Sequence, residues 1–494
     1  MENTESKPAK SRLTSPHGRN LIYQLDGRPP LGIAFPLGLQ HVLSMFIGNL
    51  APVLVLSGII VNGNPVISAA QRVLMVQCAM FASGMTTLVQ LYPLKLGKSY
   101  QIGAGLPIVM GTAFAFVPTM RTLVAQYGIN ALLGAIIVAS LVEVIMGFFI
   151  KPLKKFFPPL VIGAVLITIG LHLLPVGVQY FAGGAGAEAA AAAKAVGSTT
   201  YNAALAAQYG SWQNLLIGGS VFLVIMCLQR FARGMLKISA ILIGIIVGYV
   251  LAIILGQVNF AQVATAKIVS VPIPFTITPT FSLDVILPLA FIYVVSGLET
   301  MGNINGITMA GFDREATIKE TSGAVIADAA GSMFAAVFNT LPNTAFGQNA
   351  GIVAMTKVVN KWCIALGAFV LIAAGFIPKI GAVFAAMPSS VLGGAVITVF
   401  AMIMLNGIKL LAKAGFSDRN MLILSITFGV AFAVGDNKLL VSFLPGAIQW
   451  VFKDTTVAVC VISVLGNILF PASGSDKELA QKAQREAAAE DLKE

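Results

Sequence analysis

Acidic and basic side chains are scarce in this chain: 10% of the 494 residues are charged, against about 25% in a typical soluble domain. With 57% hydrophobic residues and a mean hydropathy of +0.87, that shortage excludes an ordinary water-soluble fold. Cysteine is equally thin. Cys78, Cys227, Cys363 and Cys460 lie far apart, each inside an apolar run, so neither a disulfide framework nor a thiolate metal site is encoded. Three histidines occur, and neither His41 nor His172 has an acid or a second histidine at ligand spacing, so no metal site and no cofactor are expected. His172 reads as a packed residue. No phosphate loop and no nucleophile–base pair is visible, which leaves an enzyme without support. The first 30 residues are polar and basic with no apolar stretch, so the expectation is a cytoplasmic tail and not a cleaved signal peptide.

What is present is apolar sequence in long runs, broken by Gly, Pro and charge. Read this way, the chain is an all-α polytopic membrane protein of fourteen segments. The first seven begin near Phe35, Ala70, Gly103, Ile129, Pro158, Gln213 and Leu236. The second seven begin near Asp284, Glu320, Thr344, Trp362, Pro388, Asn420 and Asp454. Between segments 5 and 6, the Ala/Gly-rich stretch from Gly183 to Trp212 reads as an external loop with a short helix. Residues 473–494 read as a solvated helical tail.

The net charge of +11 would suit a nucleic-acid partner if it formed one patch, but the basic residues are spread between apolar runs. They report orientation instead. Arg72, Arg121, Lys194, Lys267, Lys379, Lys438 and Lys453 fall on one side, and the other 24 of the 31 fall on the side of the termini. Both termini are therefore expected in the cytoplasm, in a plasma or inner membrane, with the lipid bilayer as partner.

The halves of the chain resemble each other. Pro158, Val161, Gly163, Ile167 and Thr168 match Pro388, Val391, Gly393, Ile397 and Thr398 at constant spacing. Leu106-Pro107 leads to Thr112-Ala113-Phe114, as Leu341-Pro342 leads to Thr344-Ala345-Phe346. Gly38-Leu39-Gln40-His41 in segment 1 corresponds to Gly297-Leu298-Glu299-Thr300 in segment 8. Seven segments per repeat force the two into opposite orientation, a 7+7 inverted repeat. Segments 3 and 10 are too short and too polar to span as plain helices. They read as short strand and half-helix units at a binding site, since irregular backbone at membrane depth must line a cavity or be buried in protein.

Three acids sit inside apolar segments: Glu143, Glu299 and Asp328. A carboxylate at the bilayer centre costs several kcal/mol unless it is neutralised or faces a wet cavity, so such residues read as functional. No Lys or Arg lies in a span near Glu299 or Asp328, leaving protonation, a donor-rich ligand or a cation to lower the cost. Glu143, close in sequence to Lys151 and Lys154, reads as structural. The N-terminus of a half-helix offers unpaired N–H groups and partial positive charge. Beside it Gln348 supplies a paired donor and acceptor, Glu299 an acceptor and Phe114 an aromatic face. The complement is a flat ring with adjacent N–H and C=O groups, as in a nucleobase.

Gln348-Asn349-Ala-Gly351-Ile-Val-Ala-Met-Thr356-Lys357 resembles the signature of the nucleobase–ascorbate transporters (nucleobase:cation symporter-2 proteins), Gln/Glu-Asn-x-Gly-x4-Thr followed by Arg, Lys or Gly. Gln40-His41, Gly111-Thr-Ala-Phe114-Ala-Phe116, Glu299, Asp328 and Asn339-Thr-Leu-Pro-Asn343 fit the same pattern, and Tyr23 to Leu31 resembles bacterial xanthine permeases. The resemblance covers residues 20 to 470. It implies a core domain (32–150 and 284–380), a gate domain (151–283 and 381–472) that also forms a homodimer, tails at 1–31 and 473–494, and an elevator-like movement. It implies that Glu299 and Gln348 hold the substrate's edge, with Phe114, Gly347, Ala113 and Asn349 lining or supporting the site. Asp328, His41, Gln40, Asn303 and Thr356 would form the proton-coupling and supporting network. Gln348, where uracil permeases carry Glu, favours xanthine or urate taken up with a proton, Na+ remaining the alternative ion. Asn303 departs from some xanthine permeases, which carry an acid there. The rival expectations are a uracil-type permease and, within the same architecture, an anion transporter of the sulfate-permease type.

Overall fold

The computed structural model describes residues 21–61, 63–97, 100–153, 156–196, 202–435 and 437–471. Most of tail 1–31 and the tail 473–494, and with them the sequence expectations made there, lie outside the described residues. The first half contains α1 (Leu31–Ser57), α2 (Ala69–Leu91), strand β1 (Met110–Thr112), α3 (Val117–Phe148), α4 (Pro159–Phe181), α5 (Trp212–Phe231) and α6 (Ala240–Ile254). The second contains α7 (Leu283–Phe312), α8 (Ile318–Val337), β2 (Asn343–Ala345), α9 (Gln348–Thr356), α10 (Lys361–Gly375), α11 (Pro378–Ala385), α12 (Ser389–Ala414), α13 (Asp418–Gly435) and α14 (Thr455–Leu469). Between α4 and α5 stand two short helices, Ala185–Ala195 and Ala203–Gln208. By length and composition, eight helices among the described residues can cross a membrane, or nine if α10 and α11, bent by 82°, count as one. The protein is a multi-pass helical membrane protein.

Local sequence explains where the helices start and break. Ser68 begins α2 with a capping box: its hydroxyl accepts from the Gln71 amide while the Gln71 side chain accepts from Ser68 N–H at 2.9 Å. Thr317 and Glu320 do the same for α8. Gly128, with φ +78°, interrupts α3 and separates its two halves at the boundary expected between segments 3 and 4. Asn360 caps α10, accepting from the N–H groups of Trp362 and Cys363, and its amide donates to the carbonyls of Leu21 and Gln24, which docks the N-terminal segment.

Helices α4 and α12, the pair matched between the halves, cross at glycine. A Cβ at Gly163 would stand 2.8 Å from the Gly407 carbonyl oxygen, and one at Gly407 would stand 2.7 Å from that of Gly163. Backbone meets backbone here, the close approach that small residues permit in membrane helix pairs.

The two short strands solve a solvation problem. Backbone polar groups at membrane depth cannot be left to lipid. Strands β1 and β2 pair with each other, antiparallel, with Met110, Gly111 and Thr112 opposite Ala345, Thr344 and Asn343. Side chains take up other groups: Met110 N–H donates to Thr87 Oγ1, Thr112 N–H to Asn49 Oδ1 and Asn343 N–H to Ser332 Oγ. Every residue of both strands is buried.

Candidate functional site

Beyond β2, Gly347 turns the chain into α9, only 9 residues long, or about 14 Å at 1.5 Å per residue. The helix therefore starts inside the protein, and a cavity of about 630 Å³ lies at its N-terminus. The volume falls within the usual range for small-molecule sites, about 300–1,000 Å³. One wall comes from the paired strands and their flanking helices: Phe114, Glu299, Asn303, Gly347 and Gln348 all line it. The facing wall comes from α12, through Val399, Met402, Ile403 and Asn406, and from Gln229 and Lys237 at the ends of α5 and the following turn. Phe114 is 8% exposed and meets Phe400 of α12 edge to face, with ring centroids 5.7 Å apart. Gln348 is exposed to the cavity and Glu299 half-buried beside it.

Positioning is supplied from behind. Asn303, four residues and one helical turn after Glu299, donates from Nδ2 to the Ala345 carbonyl at 2.7 Å, tying α7 to β2. Its Oδ1 lies so near Gly347 that a Cβ there would come within 2.6 Å. Asp328 of α8 does not line the cavity. It is fully buried, and its Oδ2 accepts from Thr300 at 2.5 Å, from Thr344 at 3.3 Å and from Ser296 at 3.5 Å. Thr344 is both a strand residue and a cavity wall, so Asp328 stands one side chain behind the site.

The other expected residues sit farther out. Ala113 is fully buried and pairs through its N–H with the Pro342 carbonyl. Gln40 and His41 are buried in α1. Ser44, which lines the cavity, donates to the His41 carbonyl at 2.8 Å. Asn349 is buried, and no hydrogen bond engages its side-chain amide. Thr356 ends α9, its hydroxyl donating to Ile352 and accepting from Val358 N–H, before Lys357 turns left-handed at φ +56°.

One residue that matters for this geometry, Asn49, escapes a reading by sequence, and another, Glu143, is read there without its partner. Asn49 of α1 accepts at Oδ1 from Ser83, from Thr112 Oγ1 and from Thr112 N–H, while its amide donates to Ala79. An Asn among apolar residues in a span was the available signal. Glu143 is read in the sequence from its chain neighbours alone. Lys151 beside it in sequence is exposed, and Lys154 lies outside the described residues. Glu143 itself is fully buried, within hydrogen-bonding reach of Asp328 and packed on Gly297. A second cavity, about 710 Å³, lies between the start of α3, the start of α7 and residues 435–454. It is slightly larger but contains none of the expected site residues, and its polar groups include the Thr119–Asp454 hydrogen bond.

Comparison with known proteins gives the family of the chain. Residues 32–437 match the model of the permease family whose short name is Xan_ur_permease. The chain is 30% identical over 461 residues to a xanthine permease of Bacillus subtilis (92% of this chain, 98% of that one). It is 31% identical over 454 residues to the uric acid permease PucJ of the same organism (91% and 95%). Among solved structures, the transmembrane domain of a cyanobacterial bicarbonate transporter, BicA, aligns with a TM-score of 0.54 at 14% identity, covering 90% of this chain and 98% of that one. That likeness concerns the fold. With the signature at Gln348 to Lys357 and the matched length, the chain belongs to the xanthine and uric acid permease family, and it is a membrane transporter rather than an enzyme.

Proposed function

We propose that this permease takes up an oxidised purine, xanthine or urate, together with a proton. The observation that carries the reading is the convergence of Glu299, Gln348 and Phe114 on one cavity at the start of a half-helix. A purine of this kind presents adjacent N–H and C=O groups on a flat ring. Glu299 accepts from ring N–H, Gln348 pairs with an N–H and C=O edge, and Phe114 packs on the face. The half-helix N-terminus favours electron-rich carbonyl oxygens.

Fourteen membrane segments in a 7+7 inverted repeat, with both termini in the cytoplasm, form the frame of this reading. The strands and α7, α8 and α9 belong to a core domain, and α4, α5, α6 and α12 to a gate domain that pairs two copies. The α12 part of the wall opposite Glu299 and Gln348 is mostly apolar, through Val399, Met402 and Ile403, with Asn406 beside them. Such a surface makes few directional bonds, so a core carrying the substrate slides past it. Glu299 and Asp328 carry the coupling equilibrium, with the site closed or open according to whether the acids are neutral.

Uptake of labelled xanthine, urate and uracil by cells expressing the chain, with and without a protonophore, tests this. Purine uptake that collapses with the proton gradient is expected. Uptake of uracil alone would overturn the substrate, and purine uptake that follows sodium and ignores the protonophore would overturn the ion.

A further inference from the structure

Behind the cavity, two carboxyls meet where neither can be solvated. Glu143 on α3 and Asp328 on α8 are both fully buried, and their side chains lie within hydrogen-bonding reach. Gly297 of α7 makes the space: a Cβ there would stand 3.2 Å from Glu143 Oε1. Polar groups of α7 and β2 face the pair. From α7 come the Ser296 and Thr300 hydroxyls, the Tyr293 phenol and the Glu299 carboxyl, and from β2 comes Thr344. Ser332 of α8 is engaged with Asn343. Among the described residues, no Lys, Arg or His forms an ion pair with either acid.

The hydrogen bonds around the pair are lopsided. Asp328 Oδ2 takes all three hydroxyl donors, whereas Asp328 Oδ1 and both Glu143 oxygens have none. Buried acceptors left without donors are rare and costly, and two adjacent carboxylates in a dry site repel each other. One proton removes the repulsion and gives Asp328 Oδ1 a donor. Placed on Glu143, it supplies the missing donor to Asp328 and leaves a single negative charge, on the oxygen already held by Thr300. We propose that Glu143 is a positioning residue for Asp328. The two carboxyls share one proton, and the pair fixes Asp328 as the acceptor that holds Thr300 and Thr344 behind the binding strand. The proposal rests on reading the chain as a proton-coupled transporter, and it adds a residue that the family signature does not contain.

The pair has a spectroscopic signature that a purely structural Glu143 lacks. The purified full-length chain at pH 7 should show the infrared C=O stretch of a protonated carboxylic acid, shifted in D2O. Glu143→Gln should remove it and Glu299→Gln should not. In transport, Glu143→Gln keeps a donor toward Asp328 and should retain uptake within about threefold of the parent, with the KM unchanged. Glu143→Ala should lose about tenfold or more in maximal rate. The alkaline limb of the uptake–pH profile should move in Glu143→Gln, because an amide cannot give up the shared proton. An unchanged infrared band in Glu143→Gln, equal loss in the Gln and Ala variants, or an unmoved pH profile would each overturn the proposal. If Glu143→Gln does not fold, Asp328→Asn serves, since breaking the pair must shift or abolish the same band. The infrared test needs no substrate, so a failed purine assay with an intact band rejects the proposed function alone, and the reverse result rejects the pair alone.

Discussion

Asn303 and Gly347 are locked together at the mouth of the half-helix: the Asn303 side-chain oxygen, Oδ1, occupies the space that any side chain at residue 347 would need. The same Asn303 holds the Ala345 carbonyl through its amide. Gly347→Ala is therefore expected to push Asn303 off β2. Overpacking of this kind costs about 1–3 kcal/mol, and uptake should fall by about tenfold or more while the protein still folds. Combining it with Asn303→Ala should restore part of the rate. No rescue in the double variant would mean that Gly347 matters for some reason other than this contact.

Hydrogen bonding to Asp328 predicts a ranking. Thr300 donates at 2.5 Å, Thr344 at 3.3 Å and Ser296 at 3.5 Å. A bond to a charged group contributes about 1.5–3 kcal/mol, so Thr300→Val should reduce maximal uptake the most and Ser296→Ala the least. Initial rates at saturating substrate check the order, and a Ser296 effect exceeding that of Thr300 would contradict it.

Asn49 should behave as a stability residue. Asn49→Ala leaves the Thr112 N–H and two hydroxyls, of Thr112 and Ser83, without their buried acceptor. Each buried polar group so orphaned costs about 1–3 kcal/mol, and the melting temperature in detergent should drop.

The α4–α12 crossing gives a folding prediction. Gly407→Leu places a side chain where the Gly163 oxygen and the Ile167 N–H lie 2.7 Å from an ideal Cβ. Expression as a monodisperse species on fluorescence-detected gel filtration should collapse, whereas Gly429→Leu, with open space at its Cβ, should express normally. Equal behaviour of the two would contradict backbone contact at Gly407.

Much of this was legible in the chain. Apolar runs cannot stay in water, so the long helices follow from hydropathy. Leu341 to Lys357 announces itself because its polar groups and glycines break a run too short to span, and a strand followed by α9 stands there. Glu299 and Gln348 are conspicuous because charge and amide are costly among apolar residues, and both line the cavity. What hid was pairing across distance. Glu143 reads as an end-of-span charge beside Lys151, because sequence proximity says nothing about the face on which α3 meets α8. Asn303 looks like a lost acid, until its amide is seen on the Ala345 carbonyl. Asn49 has no local signal of its three partners, Ala79 and Ser83 of α2 and Thr112 of β1.

Equilibrium binding of xanthine, urate and uracil to the purified chain, compared with Glu299→Gln and Gln348→Glu, tests the central claim most directly. The account predicts that xanthine or urate binds the parent, that uracil does not compete at similar concentration, and that both substitutions weaken purine binding by about tenfold or more. Purine affinity unchanged in both variants, or uracil as the tighter ligand, would contradict it.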